Sequence, residues 1–109
     1  MVDPISVEER MYIIREVLNC KPGKVRPLID RFRTLSAALE KTGRPPLRLL
    51  TDVSGEQFWT LIAEVTVPTV DDFFSVEESL MADESVRNAM AGYHDLVERG
   101  RREVYRVAS

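Results

Sequence analysis

Apolar positions recur along this chain with two periods, and the order in which the periods alternate outlines a fold. Residues 11–18, Met-Tyr-Ile-Ile-Arg-Glu-Val-Leu, are apolar on both alternating faces, each interrupted by one charge, Arg15 on one and Glu16 on the other. A central strand covered on both sides reads this way. Pro22-Gly23 then marks a turn. From Lys24 onward, Val25, Leu28, Ile29, Phe32, Leu35 and Leu39 fall on one stripe of a helix. Pro27 lies in its first turn, where the missing N–H costs nothing. Gly43 follows the last periodic residue as a left-handed cap, and Pro45-Pro46 prevents continuation.

Residues 47–53 read as a short strand, and Ser54-Gly55-Glu56 as a hairpin turn. Residues 58–67 read as the longest strand, with two unlike faces. Trp59, Leu61, Ala63, Val65 and Val67 make one; Phe58, Thr60, Ile62, Glu64 and Thr66 make the other. Pro68 ends it. Thr69-Val70-Asp71-Asp72 has the form of a helix cap with an acid three residues on, and Phe73, Phe74, Val76 and Leu80 supply a short helix. Asp83 is expected to cap a further helix with Val86, Met90, Tyr93 and Val97 on its buried side, stopped by Gly100. Residues 103–107 read as a final strand.

This order predicts an α+β, ferredoxin-like βαββαβ fold: an antiparallel sheet of order 4-1-3-2 with the helices on one face. The Leu61–Val65 face belongs under the helices. The face with Phe58, Thr60, Ile62 and Glu64 is too apolar to stay wet, and the sheet of a second copy is its natural cover. The expectation is a homodimeric α/β barrel. At 109 residues the chain reads as one domain over residues 10–109, preceded by a loose polar arm over residues 1–9.

The net charge of −3 comes without a basic block. Arg99-Gly100-Arg101-Arg102 is the densest positive run and reads as cations at a helix end rather than a nucleic-acid contact. No apolar run reaches the roughly 18 residues of a membrane span, and the N-terminus has no basic stretch leading into an apolar one, so no secretory signal is read. The single Cys20 permits neither an internal disulfide nor a clustered metal site. Together these predict a cytoplasmic protein without metal or cofactor, and without nucleic-acid or membrane partners.

With Lys21-Pro22-Gly23 between the first strand and first helix, and Arg-Arg-Glu-Val-Tyr-Arg-Val over residues 101–107 as the closing strand, the chain resembles the dimeric α+β barrel superfamily. Within it the chain is most similar to the NIPSNAP-type proteins and the stress-responsive barrel proteins, over nearly everything after residue 10. The resemblance implies a homodimer whose two sheets form a barrel. The superfamily spans cofactor-free monooxygenases, haem-degrading enzymes, isomerases and proteins of no known activity, among which fold does not choose.

Several residues carry candidate chemistry. His94 is the sole histidine and suits a general base or a haem ligand. The resemblance adds that haem-degrading members carry a ligand histidine on a corresponding helix and a strand tryptophan, to which Trp59 is a loose parallel. No counterpart of their pocket asparagine is visible near the start of the first strand. The plainer reading, a surface imidazole on a helix, is the one we expect. The monooxygenases of this fold use a tryptophan, an asparagine, a tyrosine and an arginine. Trp59, Tyr93 and Arg15 count toward that set, whereas Asn19 and Asn88 match poorly, at a strand end and on a helix.

Tyr12, Trp59, Leu61, Met90 and Tyr93 are expected either to line an apolar pocket between sheet and helices or to fill the core. Arg15, Glu16, Glu64 and Arg106 lie inside strands and need partners, either as Arg–Glu pairs at the dimer seam and strand ends or as a polar cluster that orients a ligand. Cys20 reads as a small buried hydrophobe. The leading expectation is a small dimeric barrel protein with a pocket between sheet and helices for a small apolar or aromatic molecule, with no catalysis demonstrable from the sequence. The alternative is a cofactor-free monooxygenase acting on an aromatic or quinol substrate, or less readily a haem enzyme. In either enzyme His94 and Arg15 are the catalytic candidates.

Overall fold

The computed structural model describes residues 11–108. The arm expected over residues 1–9 lies outside them. The chain runs through β1 (Tyr12–Cys20), α1 (Val25–Lys41), β2 (Arg48–Thr51), β3 (Thr60–Val67), α2 (Val70–Met81), α3 (Glu84–Met90), a 3₁₀ turn (Tyr93–Leu96) and β4 (Val97–Arg106). The strands form one antiparallel sheet in the order β2-β3-β1-β4. That is the predicted 4-1-3-2 read from the opposite edge, and the fold is α+β and ferredoxin-like.

Register fixes which side chains share a face. Ile14 pairs with Val65 and Val104, Glu16 with Ala63 and Arg102, and Leu18 with Leu61 and Gly100. Alternation places these on the helix side. Arg15 pairs with Glu64 and Glu103, Val17 with Ile62 and Arg101, and Asn19 with Thr60 and Arg99. These form the open face. On the helix side Leu28 and Leu61 are fully buried among Leu18, Cys20, Phe32 and Ala63. Each such leucine contributes about 1.5–3 kcal/mol by leaving water. A second cluster joins Ile14, Val65 and Val67, and a third joins Leu39, Leu80 and Val86.

The expected caps are present. Thr69 Oγ1 accepts the Asp72 N–H at 2.9 Å, and Asp83 Oδ1 accepts the Ser85 N–H at 2.9 Å. Gly43, just past α1, has φ +80°, a conformation that strains other residues.

Three expectations need correction. The last helix does not run to Val97. It ends at Met90, because Gly92 turns left-handed with φ +78° and the chain re-enters only a 3₁₀ turn. The basic run 99–102 is therefore not a helix end; it lies within β4. Gly100 stops no helix. It lies under Leu18, and a Cβ there would come within 2.8 Å of Leu18 Cδ2. Finally, β3 begins at Thr60, so Phe58 and Trp59 are loop residues, and β4 is the longest strand with 10 residues against 8. Asp52 Oδ1 takes the Thr60 N–H at 2.8 Å and Trp59 adopts φ +60°, so residues 52–59 form a pinned loop rather than a tight hairpin. Among the described residues, no helix is long and apolar enough to cross a membrane.

Candidate functional site

The helix side of the sheet is not packed solid. A cavity of about 450 Å³ lies between it and the helices, within the usual range for small-molecule sites. Ile14, Leu18, Ala63 and Val65 form the sheet side, alternate residues of neighbouring strands. Phe32, Leu35 and Leu39, one stripe of α1, and Phe73, Val76 and Leu80 of α2 also line the cavity, with Leu39 and Leu80 packed in one cluster where the two helices meet. Met90 and Tyr93 line the cavity as well. The space exists because α2 is lightly seated: Leu80 is its one buried residue.

Charged side chains at the rim hold α2 instead. Arg102 of β4 pairs with Glu16 of β1 and, through Nη2, with Glu77 Oε2 of α2 at 3.0 Å. Its guanidinium lies 5.1 and 5.6 Å from the ring centres of Phe73 and Phe74 on the same helix, within cation–π range. Partial burial works against the charge of Arg102, but Glu16 and Glu77 outweigh it and hold the guanidinium above its ordinary pKa. Arg44, beyond α1, pairs with Asp72 in the first turn of α2. All five charged residues are partly open to solvent.

The residues singled out from the sequence fall in several places. Met90 and Tyr93 line the cavity. Leu61 is core and has no surface on it. Tyr12 packs on the Ile14–Val65–Val67 cluster, outside the lining. Trp59, expected between sheet and helices, lies in the loop before β3 with 45% of its surface exposed. The alternation that placed it inward stops at Thr60.

His94 is exposed in the 3₁₀ turn, its ring stacked on Tyr93 at 4.0 Å between centroids. Arg15 is on the open face, where its Nε and Nη2 donate to Glu64 Oε2 at 2.9 and 2.8 Å. His94 and Arg15 are thus not brought together. Cys20 is buried, and burial first, then the charge of Asp52, push its thiol pKa up, the opposite of what a nucleophile needs. Among the described residues no cluster of three His, Cys, Asp or Glu side chains is placed to hold a metal.

On the open face Thr60, Ile62 and Glu64 lie in β3, whereas Phe58, expected beside them, projects from the loop with 84% of its surface exposed. Asn19 Nδ2 donates to Thr60 Oγ1, and Arg99 Nε donates to Asn19 Oδ1, both at 3.3 Å. A shallow hollow of about 680 Å³ lies there between the 52–57 loop and Arg99 and Arg101.

Sequence reasoning missed the rim residues Arg44, Asp72, Glu77 and Arg102 as a group. One signal was available: Glu16 falls on an otherwise apolar face and requires a partner.

No family model matches the chain, and no curated protein matches it. Solved structures share its fold. A NIPSNAP family protein with unknown function from Agrobacterium tumefaciens superposes with a TM-score of 0.76 at 17% identity, over 95% of this chain and 93% of that one. A dimeric protein of unknown function and ferredoxin-like fold from Bacteroides fragilis gives 0.63 at 10% identity, over 89% and 96%. A candidate antibiotic biosynthesis monooxygenase from Chloroflexus aurantiacus gives 0.62 at 15%, over 91% and 92%. At these identities the likeness is one of fold. The ferredoxin-like fold expected from the element order is shared with these structures, the NIPSNAP family protein among them.

Proposed function

We propose that this chain is a small-ligand-binding protein that pairs through its open sheet face into a homodimeric barrel. The observation that carries the reading is the apolar cavity of about 450 Å³ beneath α1 and α2. Ligand sites are concave, mostly apolar and supplied with a few polar groups at their edge, which describes this one. Titration with the neutral fluorophore N-phenyl-1-naphthylamine tests it. Saturable, blue-shifted emission with one site per chain is expected; emission rising without saturation refutes the proposal.

Two features support pairing. Val17 of the open face is buried within a single chain, next to the half-buried Ile13, Leu50 and Ile62, an apolar strip set among the charged Arg15, Glu64, Arg101 and Glu103. The fold is also that of a protein described as dimeric. A stable interface buries about 1,200–2,000 Å² in all. Light scattering at micromolar concentration should give twice the chain mass, and Ile62→Asp should shift it toward the monomer.

A monooxygenase is the second reading, favoured by the position of Tyr93 on the cavity lining and by the fold shared with the Chloroflexus protein. The other candidates for that chemistry, Trp59 and Arg15, lie in a loop and on the open face. Oxygen uptake with a panel of quinols decides, and none above background is expected.

A further inference from the structure

We infer that the cavity is selective by charge: its occupant is an elongated apolar molecule whose polar end is uncharged, and anionic amphiphiles such as fatty acids are rejected at the rim. This rests on the ligand-binding reading above and adds the class of ligand.

Length comes from β1. Met11, just before β1, and Ile14, Glu16 and Leu18 within it line the cavity, and Met11 to Leu18 is a run of about 23 Å at the rise of an extended strand. A volume of about 450 Å³ spread along that distance suits one narrow extended chain better than a broad ring system. Tyr93 supplies an uncharged polar side chain to the lining, whereas Thr66 alternates to the open face, so the cavity offers a ligand body little hydrogen bonding.

Charge comes from the rim. Glu16, Asp72 and Glu77 bring three carboxylates and Arg44 and Arg102 two guanidiniums, leaving one negative charge in excess. The cations are also engaged. Arg102 donates through Nε to Glu16 and through Nη2 to Glu77, and Arg44 donates through Nη1 to Asp72. A ligand carboxylate there would have to displace a protein carboxylate from its arginine while facing the others, and like charges brought together at a partly dry site are penalised. A hydroxyl or carbonyl meets no such cost, because it can bond to a carboxylate or guanidinium edge without disturbing the pairs.

The test displaces bound N-phenyl-1-naphthylamine with 1-dodecanol and with dodecanoate at pH 8, both below their aggregation limits. Dodecanol should displace the probe at about tenfold lower concentration or better, equivalent to about 1.4 kcal/mol. An alcohol is intrinsically the more apolar of the two, so the deciding variant is Glu77→Gln at the partly exposed rim. It should improve dodecanoate relative to dodecanol about threefold. Equal displacement by the two, a preference for dodecanoate, a ratio unmoved by Glu77→Gln, or a bound probe that dodecanol fails to displace would each overturn the charge filter while leaving the cavity a ligand site. Failure of the probe itself to bind saturably would overturn both.

Discussion

Replacing Arg15 by methionine removes the partner of a carboxylate that the fold buries. Glu64 keeps 8% of its surface in contact with solvent. Both hydrogen bonds from Arg15, at 2.9 and 2.8 Å, go to the same oxygen, Oε2. Breaking a fully buried ion pair by deleting one partner costs about 3–5 kcal/mol, most of it the uncompensated charge. Here the Arg15 side chain is 33% exposed, and water can reach part of the site. The expected loss is therefore smaller, about 2–3 kcal/mol. For a domain of this size that is a fall in Tm of roughly 10–20 °C, read by circular dichroism at neutral pH. The double variant Arg15→Met, Glu64→Leu removes the stranded charge and should recover most of the loss, as apolar replacements of buried pairs do. A fall of under about 2 °C in the single variant, or a double variant no better than the single, would refute the idea that this pair is a constraint on the open face.

Other substitutions separate core from loop and cap. Leu61→Ala should cost about 2–5 kcal/mol, as for any fully buried leucine, whereas Trp59→Gly should leave the urea midpoint nearly unchanged, since a half-exposed ring is lost and a left-handed backbone position is relieved. Equal effects would mean the indole is packed after all. Ser85 donates its hydroxyl and its N–H to Asp83 at 2.7 and 2.9 Å and holds that carboxyl below the ordinary aspartate pKa. The folded pKa being the lower one, this contribution is complete above about pH 4 and is lost as pH falls through the folded value. Asp83→Asn should flatten stability against pH over that acidic window, and an identical pH curve for the two proteins would contradict it. Cys20, with its thiol pKa pushed up by burial, should react with a disulfide reagent at neutral pH far more slowly than a free thiol. Labelling at the rate of free cysteine would show the site open.

Much of this architecture was legible in the order of two periods. The stripe from Val25 to Leu39, the alternation from Leu61 to Val67 and the caps at Thr69 and Asp83 each pointed to the element that forms. Each failure has its own local physical cause. Met90, Tyr93 and Val97 keep helical spacing across Gly92, and a period cannot register one left-handed residue. Residues 98–102, Glu-Arg-Gly-Arg-Arg, carry no apolar alternation, so this part of β4 is held by its pairing with β1 rather than by a buried face of its own. Trp59 continues an apolar alternation although Asp52, seven residues earlier, has taken the N–H of Thr60, the next residue. The rim was the least legible part. Glu16, Arg44, Asp72, Glu77 and Arg102 come from four different stretches of chain; strand pairing sets Glu16 beside Arg102, and the packing of α2 across the sheet adds Glu77 to that pair and sets Asp72 against Arg44.

The central claim is that the space between sheet and helices is a binding site, and filling it tests that most directly. Ala63 lies on the sheet side of the cavity, 3% exposed, and Ala63→Phe would direct a ring into the empty volume. The account predicts a folded protein with an unchanged far-ultraviolet spectrum and a Tm at or above that of the parent, which no longer binds N-phenyl-1-naphthylamine. Unchanged probe affinity in a folded Ala63→Phe protein would place the site elsewhere and contradict the account.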